Sequence, residues 1–441
     1  MVKVLVDIVI LIIAVIPLRN FSIGFFVALC SRIFFPPYVR FIAGPISFAV
    51  NDFILLFLII SFVYHNYYRI LANISFSRKL FIYLLFSYAT SFILIFLSSD
   101  RTPFDYQISS FFKTFIQDSL YTFFAYYAFK SFDEKRLTFL FSVAFVAGIY
   151  GIAVYMTKIN PYIDSLSTLY MGENRFEFFL EQVRGGLIGR TSGTLDHPLT
   201  WGQVWGILIS IYFIYKSKII NKIIFYSFPV IAFLNILFSG SRAAIVVLCC
   251  ILIFYLISLG KKKLLLYILL SVCAIFVSAF LLRNNQYAEG IVKYLEAGVF
   301  FWDNSYSEAA GINGSNTSMR ISQLEKTLEI ASQNPIGGLG FSSVGYFGAS
   351  SFDDMYGFES IVFKKIVEQG FLGLIFYCIS LIIFVRWAFK FIEKTDRMKW
   401  AGFYVSYFIS IIFTGIQNSW ALFFFLAFLP LSKHYQKSTH V

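Results

Sequence analysis

The chain has 441 residues, of which 58% are hydrophobic, 20% aromatic and 14% charged, with a formal net charge of +12. Soluble domains are about 45–50% apolar and about 25% charged, so one soluble core cannot hide this much apolar surface and a bilayer must solvate much of it. The basic balance does not indicate a nucleic-acid binder, because Lys and Arg fall in short clusters between apolar runs and form no single basic face.

Backbone in lipid must satisfy its own hydrogen bonds, which leaves helices or a closed barrel. Long unalternating runs such as Phe53–Tyr64 and Leu264–Leu282 favour helices over alternating strands of about ten residues. In chain order the candidate spans are 2–17, 21–35, 44–64, 80–98, 108–129, 137–156, 199–215, 223–239, 243–259, 264–282, 361–385, 400–416 and 418–432. Most approach the roughly 17–25 residues that a crossing needs, and the first two are short. The first run, Val4–Ile16, contains Asp7 and has no small-residue cleavage site before Leu18-Arg19. It reads as a retained helix and not as a removed signal peptide. The five cysteines all lie in apolar runs and read as small hydrophobes.

The fold class predicted is all-α, a polytopic transmembrane helical bundle of about 12–13 spans with two extended periplasmic loops containing short helices. The units are residues 1–156 (N-terminal helices), 157–198 (first periplasmic loop), 199–282 (central helices), 283–358 (large periplasmic loop) and 359–441 (C-terminal helices and a short cytoplasmic tail). Charge sets the sides. One set of connections holds Arg69/Arg78/Lys79, Lys130/Lys135/Arg136, Lys216/Lys218/Lys222, Lys261–Lys263, Arg386/Lys390/Lys394/Arg397/Lys399 and Lys433/Lys437, whereas the alternate short set holds little beyond Arg101 and Arg242. The first set is therefore cytoplasmic, and the C-terminus with it. Thirteen spans would put the N-terminus outside and twelve would put it inside; the sequence leaves both open.

Chemistry is sought in the two long outer loops, since loops beyond about 12–15 residues are usually functional or disordered. Arg190 lies in Gly189-Arg190-Thr191-Ser192-Gly193-Thr194-Leu195-Asp196-His197-Pro198, and Arg242 in Ser239-Gly240-Ser241-Arg242-Ala243-Ala244 between two apolar helices. Arg320 opens a helix over Ser318–Gln333 that stops at Asn334-Pro335. Ile321, Leu324, Leu328 and Ala331 form an apolar stripe on that helix that lies on protein or lipid, while Arg320, away from its centre, can point into a cavity. A guanidinium fork binds phosphate oxygens through two parallel hydrogen bonds and stays charged when partly buried. Snorkelling to the interface explains any single arginine equally well. Arg242 is the exception, since a short external turn gains nothing from a positive charge under the topology rule.

Glu359 and Glu368 stand nine positions apart on the last outer helix, on opposite faces at 3.6 residues per turn, and are not a paired-carboxylate site. Glu368 has Lys364 four residues before it, so a local ion pair is its reading. Glu359 has no such neighbour and could take a proton from a sugar hydroxyl; the alternative is a helix-start acid favoured by the macrodipole. Asn334-Pro335-Ile336-Gly337-Gly338-Leu339-Gly340-Phe341 has neither a preceding strand nor a following GKS/T, so both nucleotide-loop contexts fail. The four histidines are scattered, and no metal-ligand constellation is formed. His197, beside Asp196, reads as a turn residue or as cavity lining. Asp52 and Asp118 read as buried hydrogen-bonding groups.

In this order, these segments resemble the O-antigen polymerase and O-antigen ligase superfamily of bacterial inner-membrane glycosyltransferases. The resemblance rests on Arg190-Thr191-Ser192-Gly193-Thr194 with Pro198, Ser239–Ala244, Arg320, Asn334–Gly340, and Glu359 followed by Glu368-Gln369-Gly370-Phe371-Leu372-Gly373. It implies transfer of a glycan from undecaprenyl pyrophosphate at the periplasmic face without cofactor, metal or nucleotide sugar. Arg190, Arg242 and Arg320 would hold the pyrophosphate and stabilise leaving-group charge. Members that are ligases carry a histidine as candidate base where Glu359 stands here, a departure that favours a polymerase, with Glu359 as base or as a group that binds sugar hydroxyls. The implied partners are a lipid-linked oligosaccharide and membrane lipid, with a chain-length-regulating protein as a further candidate and no nucleic acid. The rival readings are a ligase to lipid A–core and, less favoured, a lipid-linked oligosaccharide flippase.

Overall fold

In a computed structural model of the protein, residues 2–36, 38–43, 46–72, 86, 88–99, 101–128, 134–171, 183–184, 187–188, 190–216, 219, 221–260, 264, 266, 293, 304–309, 317–349 and 360–414 are described. The first helices are α1 (Val2–Arg19), α2 (Phe21–Phe34), α3 (Val50–Ala72), α4 (Phe104–Ala128), α5 (Glu134–Thr157) and α6 (Pro161–Met171). They are followed by α7 (Pro198–Tyr215), α8 (Lys222–Phe238), α9 (Arg242–Ser258), α10 (Asn304–Ala309), α11 (Thr317–Gln333), α12 (Ser343–Ala349), α13 (Ile361–Phe389) and α14 (Arg397–Thr414).

Polar caps set several boundaries inside otherwise apolar sequence. Asn20 receives the Ile23 N–H at 3.1 Å and starts α2. Asn221 receives Ile223 N–H and starts α8, and Ser241 receives Ala244 N–H and starts α9. Each cap satisfies a backbone donor that a helix start leaves open.

The helices pack side by side. α1, α2 and α3 form one group, and α2 also lies on α4 and α5. α5 packs on α8, α8 on α7, α7 on α9 and α14, and α14 on α13, which carries α11 and α12. Small residues permit the closest approaches, as is usual between membrane helices. A Cβ on Gly148 would lie 2.5 Å from Ile231, and one on Gly151 2.4 Å from the Asn235 side chain. Trp201 and Trp205 fill the resulting interior, both fully buried. Large apolar side chains point outward instead on α1, α5, α8 and α13, among them Ile12, Val146, Val230 and Ile382. A bundle solvated by water would not show that many outward aliphatic groups on every layer.

Two described helices, Lys135–Thr157 and Ile361–Phe389, are long and apolar enough to cross a membrane, and Phe21–Phe34, Val50–His65, Lys222–Phe238 and Ala243–Ser258 are shorter apolar helices. The predicted runs 264–282 and 418–432 lie outside the described residues save for 264 and 266, and residues 86 and 88–98 of the 80–98 run are described.

Two expectations are revised. The all-α reading is interrupted by two antiparallel hairpins, β1 (Arg40–Ala43) with β2 (Ile46–Ala49), and β3 (Val183–Arg184) with β4 (Leu187–Ile188). Gly44-Pro45 and Gly185-Gly186 separate their strands, dipeptides that punctuate a helix. The 44–64 run consequently turns helical only at Val50. On α11 the face turned inward is Gln323, Thr327, Ile330 and Ala331, whereas Ile321, Leu324 and Leu328 are exposed. Thr327 can be buried because its hydroxyl donates to Gln323 O, which removes the cost of an unpaired group.

Candidate functional site

Two turns from distant parts of the chain are locked together around Arg190. The residue is 4% exposed, and its Nε–H donates to Ser239 O at 2.9 Å. The next residue, Thr191, donates its N–H to Phe238 O at 2.9 Å and its hydroxyl to Gly151 O at 3.1 Å. Gly240 has φ +60, and a Cβ there would lie 3.2 Å from Arg190 Nε. Glycine therefore serves both the left-handed turn and the close approach of the arginine stem. Gly193 stands likewise at φ +55 with a Cβ position 2.4 Å from Trp201, and Trp201 is fixed by its indole N–H on Asn235 Oδ1 at 3.0 Å. The Arg190 segment thus sits on the α8–α9 turn, whose final residue, Ser241, caps the helix that Arg242 begins. The Arg242 side chain lies outside the described residues.

His197 is the N-cap of α7, its Nδ1 accepting from Leu199 N–H at 3.1 Å, in keeping with the turn-residue reading. Asp196 beside it is half-buried. The backbone N–H groups of Asp196 and His197 favour its charged form, and Oδ1, fully shielded, meets no hydrogen-bond donor among the described residues. Burial pushes its pKa up to about 6, against the pull of those two N–H groups. The charges of Asp196 and Asp164 also raise Tyr38, after burial, the larger cause. A carboxyl raised in the folded state favours folding fully below its ordinary value near 3.8 and loses that contribution as pH rises through about 6. Asp196→Asn should therefore raise the melting temperature at pH 8 by about 1–3 °C, the scale of about 1 kcal/mol in a large domain, and should leave it unchanged at pH 4. Equal shifts at both pH values in a thermal melt would contradict this.

Arg320 is half-buried on α11 and donates through Nη1 to Gln323 Oε1 at 3.3 Å, which turns it toward the face that packs on α13. The structure thus joins Arg190 to the turn preceding Arg242 and sets Arg320 on a separate helix. Glu359 lies outside the described residues, as does the Asp118 side chain. α13 starts directly after Glu359, with Ser360 Oγ accepting from Val362 N–H.

The Asn334–Phe341 loop does something its sequence does not announce. Inside α13, Gly370 takes φ 67 and ψ −174, a conformation essentially limited to glycine. The helix breaks there, and the loop occupies the break. Leu339 N–H donates to Val367 O (2.8 Å), Gly340 N–H to Glu368 O (3.1 Å), and Phe371 N–H to Pro335 O (2.8 Å). Gly338, at φ +63, would place a Cβ 2.4 Å from Val367 O. A turn before α4 closes the other side: Ser99 N–H donates to Gly338 O, Thr102 Oγ to Leu339 O, and Gln107 Oε1 accepts from Phe341 N–H. Glu368 is 4% exposed in this elbow, with Lys364 Nζ at 3.9 Å, the ion pair that the i, i+4 spacing indicates. Thr102, Gln107 and the mutual fit of the two glycine motifs were not found from sequence. The one available signal was that both motifs place glycines against Pro or Gln.

A helical bundle with outward aliphatic faces and paired, arginine-bearing turns defines a membrane protein whose polar chemistry gathers where helices end and loops interlock. A family model described as O-antigen ligase matches residues 228–378, and the match supports membership of the O-antigen ligase/polymerase superfamily. A search of curated proteins finds no match. The matched region includes the Ser239–Arg242 turn, α11, the glycine loop and the broken half of α13. Its members are membrane proteins, and the functional class it supports is a membrane glycosyltransferase-like enzyme.

Proposed function

We propose that the chain is a polysaccharide polymerase, for O-antigen or a related capsule or exopolysaccharide, that joins lipid-linked repeat units. The donor is a glycan on undecaprenyl pyrophosphate, and the acceptor is a sugar hydroxyl on a second lipid-linked unit. The observation that carries the reading is the Arg190 guanidinium pinned through Nε to Ser239 O, three residues before Arg242. Pinning one edge of the fork fixes its direction before substrate arrives, which is how preorganised donors stabilise developing charge. Arg190, Arg242 and Arg320 take the pyrophosphate as the bond from the anomeric carbon to its oxygen breaks. The acceptor oxygen bonds that carbon and gives its proton to Glu359, while Asp196 and His197 line the sugar cavity. The chemistry needs no metal or nucleotide sugar, because the pyrophosphate is already an activated leaving group. A chain-length-regulating protein remains a partner to be sought.

The site faces the periplasm in this reading, in a multi-pass protein of the bacterial inner membrane with a cytoplasmic C-terminus. Contacts among the outward-sorted connections support it. Asn160 Nδ2 donates to Gly193 O, Thr194 Oγ to Ile33 O, Tyr162 Oη to Phe34 O, and Ser99 N–H to Gly338 O. The same logic favours an outward start of α1, since Tyr170 on the first outer loop donates to Asp7 at 2.9 Å, and the α1–α2 turn meets His65 deep along α3.

The second reading is a ligase, favoured by the description of the matching family model. Electrophoresis of glycolipid from a deletion strain separates the two. Loss of a polymerase leaves lipid A–core bearing a single repeat unit, whereas loss of a ligase leaves lipid A–core bare and overturns the polymerase assignment.

A further inference from the structure

Lys158 ends α5 in a conformation that suits glycine. Its N–H donates to Val154 O at 2.9 Å, and its φ is +57. Among the described non-glycine residues only Ser342 shares a positive φ. An L-residue pays roughly 1–2 kcal/mol for the left-handed region, and glycine closes helices there without that cost. Backbone geometry therefore does not explain a lysine at this position, so its side chain is the place to look.

That side chain is held in a definite place. Its Nζ sits 3.7 Å over the Tyr155 ring centroid, and Tyr155 stacks on Phe238 with centroids 3.9 Å apart and planes 3° from parallel. The cation thus rests on a two-ring column, an attraction that keeps an ammonium in place without neutralising it. Burial lowers the Lys158 pKa below the ordinary lysine value, in line with a partly dehydrated ammonium. Phe238 is also the residue whose carbonyl receives Thr191 N–H, and the next carbonyl, of Ser239, receives Arg190. The column therefore stands on the same end of α8 that anchors Arg190 and leads to Arg242.

We infer that Lys158 is a further binding residue of this site, its ammonium contacting a lipid-borne phosphate of the donor pyrophosphate while Tyr155 and Phe238 hold it in position. The inference rests on reading the Arg190–Arg242 turns as a pyrophosphate site. The site is then a cluster of guanidinium forks for bidentate contacts with one point charge beside them, a division of labour that suits the differing geometry of the two side chains.

The test measures binding of undecaprenyl pyrophosphate to the full-length protein in nanodiscs, beside Lys158→Ala, Lys158→Arg and Lys158→Gly. Lys158→Ala and Lys158→Gly should bind about 5–10-fold more weakly, the loss of one charge-assisted contact, and Lys158→Arg within about 2-fold of wild type. Lys158→Gly should also melt at or above the wild-type temperature, because it relieves the backbone, so its lost affinity cannot be assigned to unfolding. Wild-type affinity in Lys158→Gly would overturn the inference and leave the arginine site standing. Failure of the wild-type protein to bind undecaprenyl pyrophosphate would overturn the pyrophosphate reading as well. Adding phosphatidylglycerol to the nanodiscs should leave the affinity unchanged; displacement by it at comparable concentration would make Lys158 a general lipid-headgroup contact and overturn its assignment to the donor.

Discussion

Arg242→Ala should form no glycan beyond the single repeat unit, with a turnover at least about 100-fold below wild type, the usual cost of removing one preorganised donor from a developing anion. Arg190→Ala should fall as far, and Arg190→Lys should recover little. A lysine has one nitrogen to offer, whereas Arg190 donates through Nε to Ser239 O and is planar and many-donored, a geometry that a lysine cannot reproduce. The distinction matters because an arginine that merely snorkels would be replaced by lysine without loss. Chain-length profiles of membranes containing equal amounts of each variant, quantified by immunoblot, give the answer. Full-length glycan from Arg190→Lys would reduce Arg190 to a generic interfacial cation.

Gly370→Ala should be strongly disruptive for a single added methyl. The new Cβ would lie 2.4 Å from both Pro335 O and Ile336 O, at φ +67, so the methyl meets backbone and cannot be absorbed by a side-chain rotation. Non-glycine residues pay of order 1–3 kcal/mol in such backbone regions before any clash. Relief requires withdrawing the Asn334–Phe341 loop from the α13 break, which forfeits the hydrogen bonds from Leu339, Gly340 and Phe371. The expected result is a drop in melting temperature of several degrees, faster proteolysis within the loop, and loss of polymer even in protein that remains folded. Gly345→Ala is the matched control. Its Cβ would find its nearest atom at 3.6 Å, within α12, where alanine is favoured over glycine by about 0.5–1 kcal/mol. Wild-type stability and polymer in Gly370→Ala would show that the elbow does not organise the site.

Much of the bundle was legible because the bilayer imposes a simple rule: an apolar run must become a self-satisfied helix. Runs at 137–156, 199–215 and 243–259 therefore correspond closely to α5, α7 and α9. Sequence also singled out the Arg190 and Ser239–Arg242 motifs and the Lys364–Glu368 pair. Their joining was not legible. Gly240 against the Arg190 stem, and Gly338 against Val367, are long-range backbone contacts that leave only a glycine in each segment as a trace. The α11 stripe left its surroundings open for a different reason. Hydrophobic periodicity identifies the apolar face but not what covers it, and in a membrane protein that face can turn to lipid while Gln323 and Thr327 turn inward with their hydrogen bonds made. Lys158 escaped attention because neither composition nor spacing reveals a positive φ.

The most direct measurement is elongation by the purified protein, reconstituted in liposomes with undecaprenyl-pyrophosphate-linked repeat units as the only sugar source. Products resolved by mass should appear as a ladder spaced by one repeat, with one undecaprenyl pyrophosphate released per bond formed. An enzyme that leaves the repeats unjoined until lipid A–core is supplied, and then transfers a single unit to it, would contradict the account.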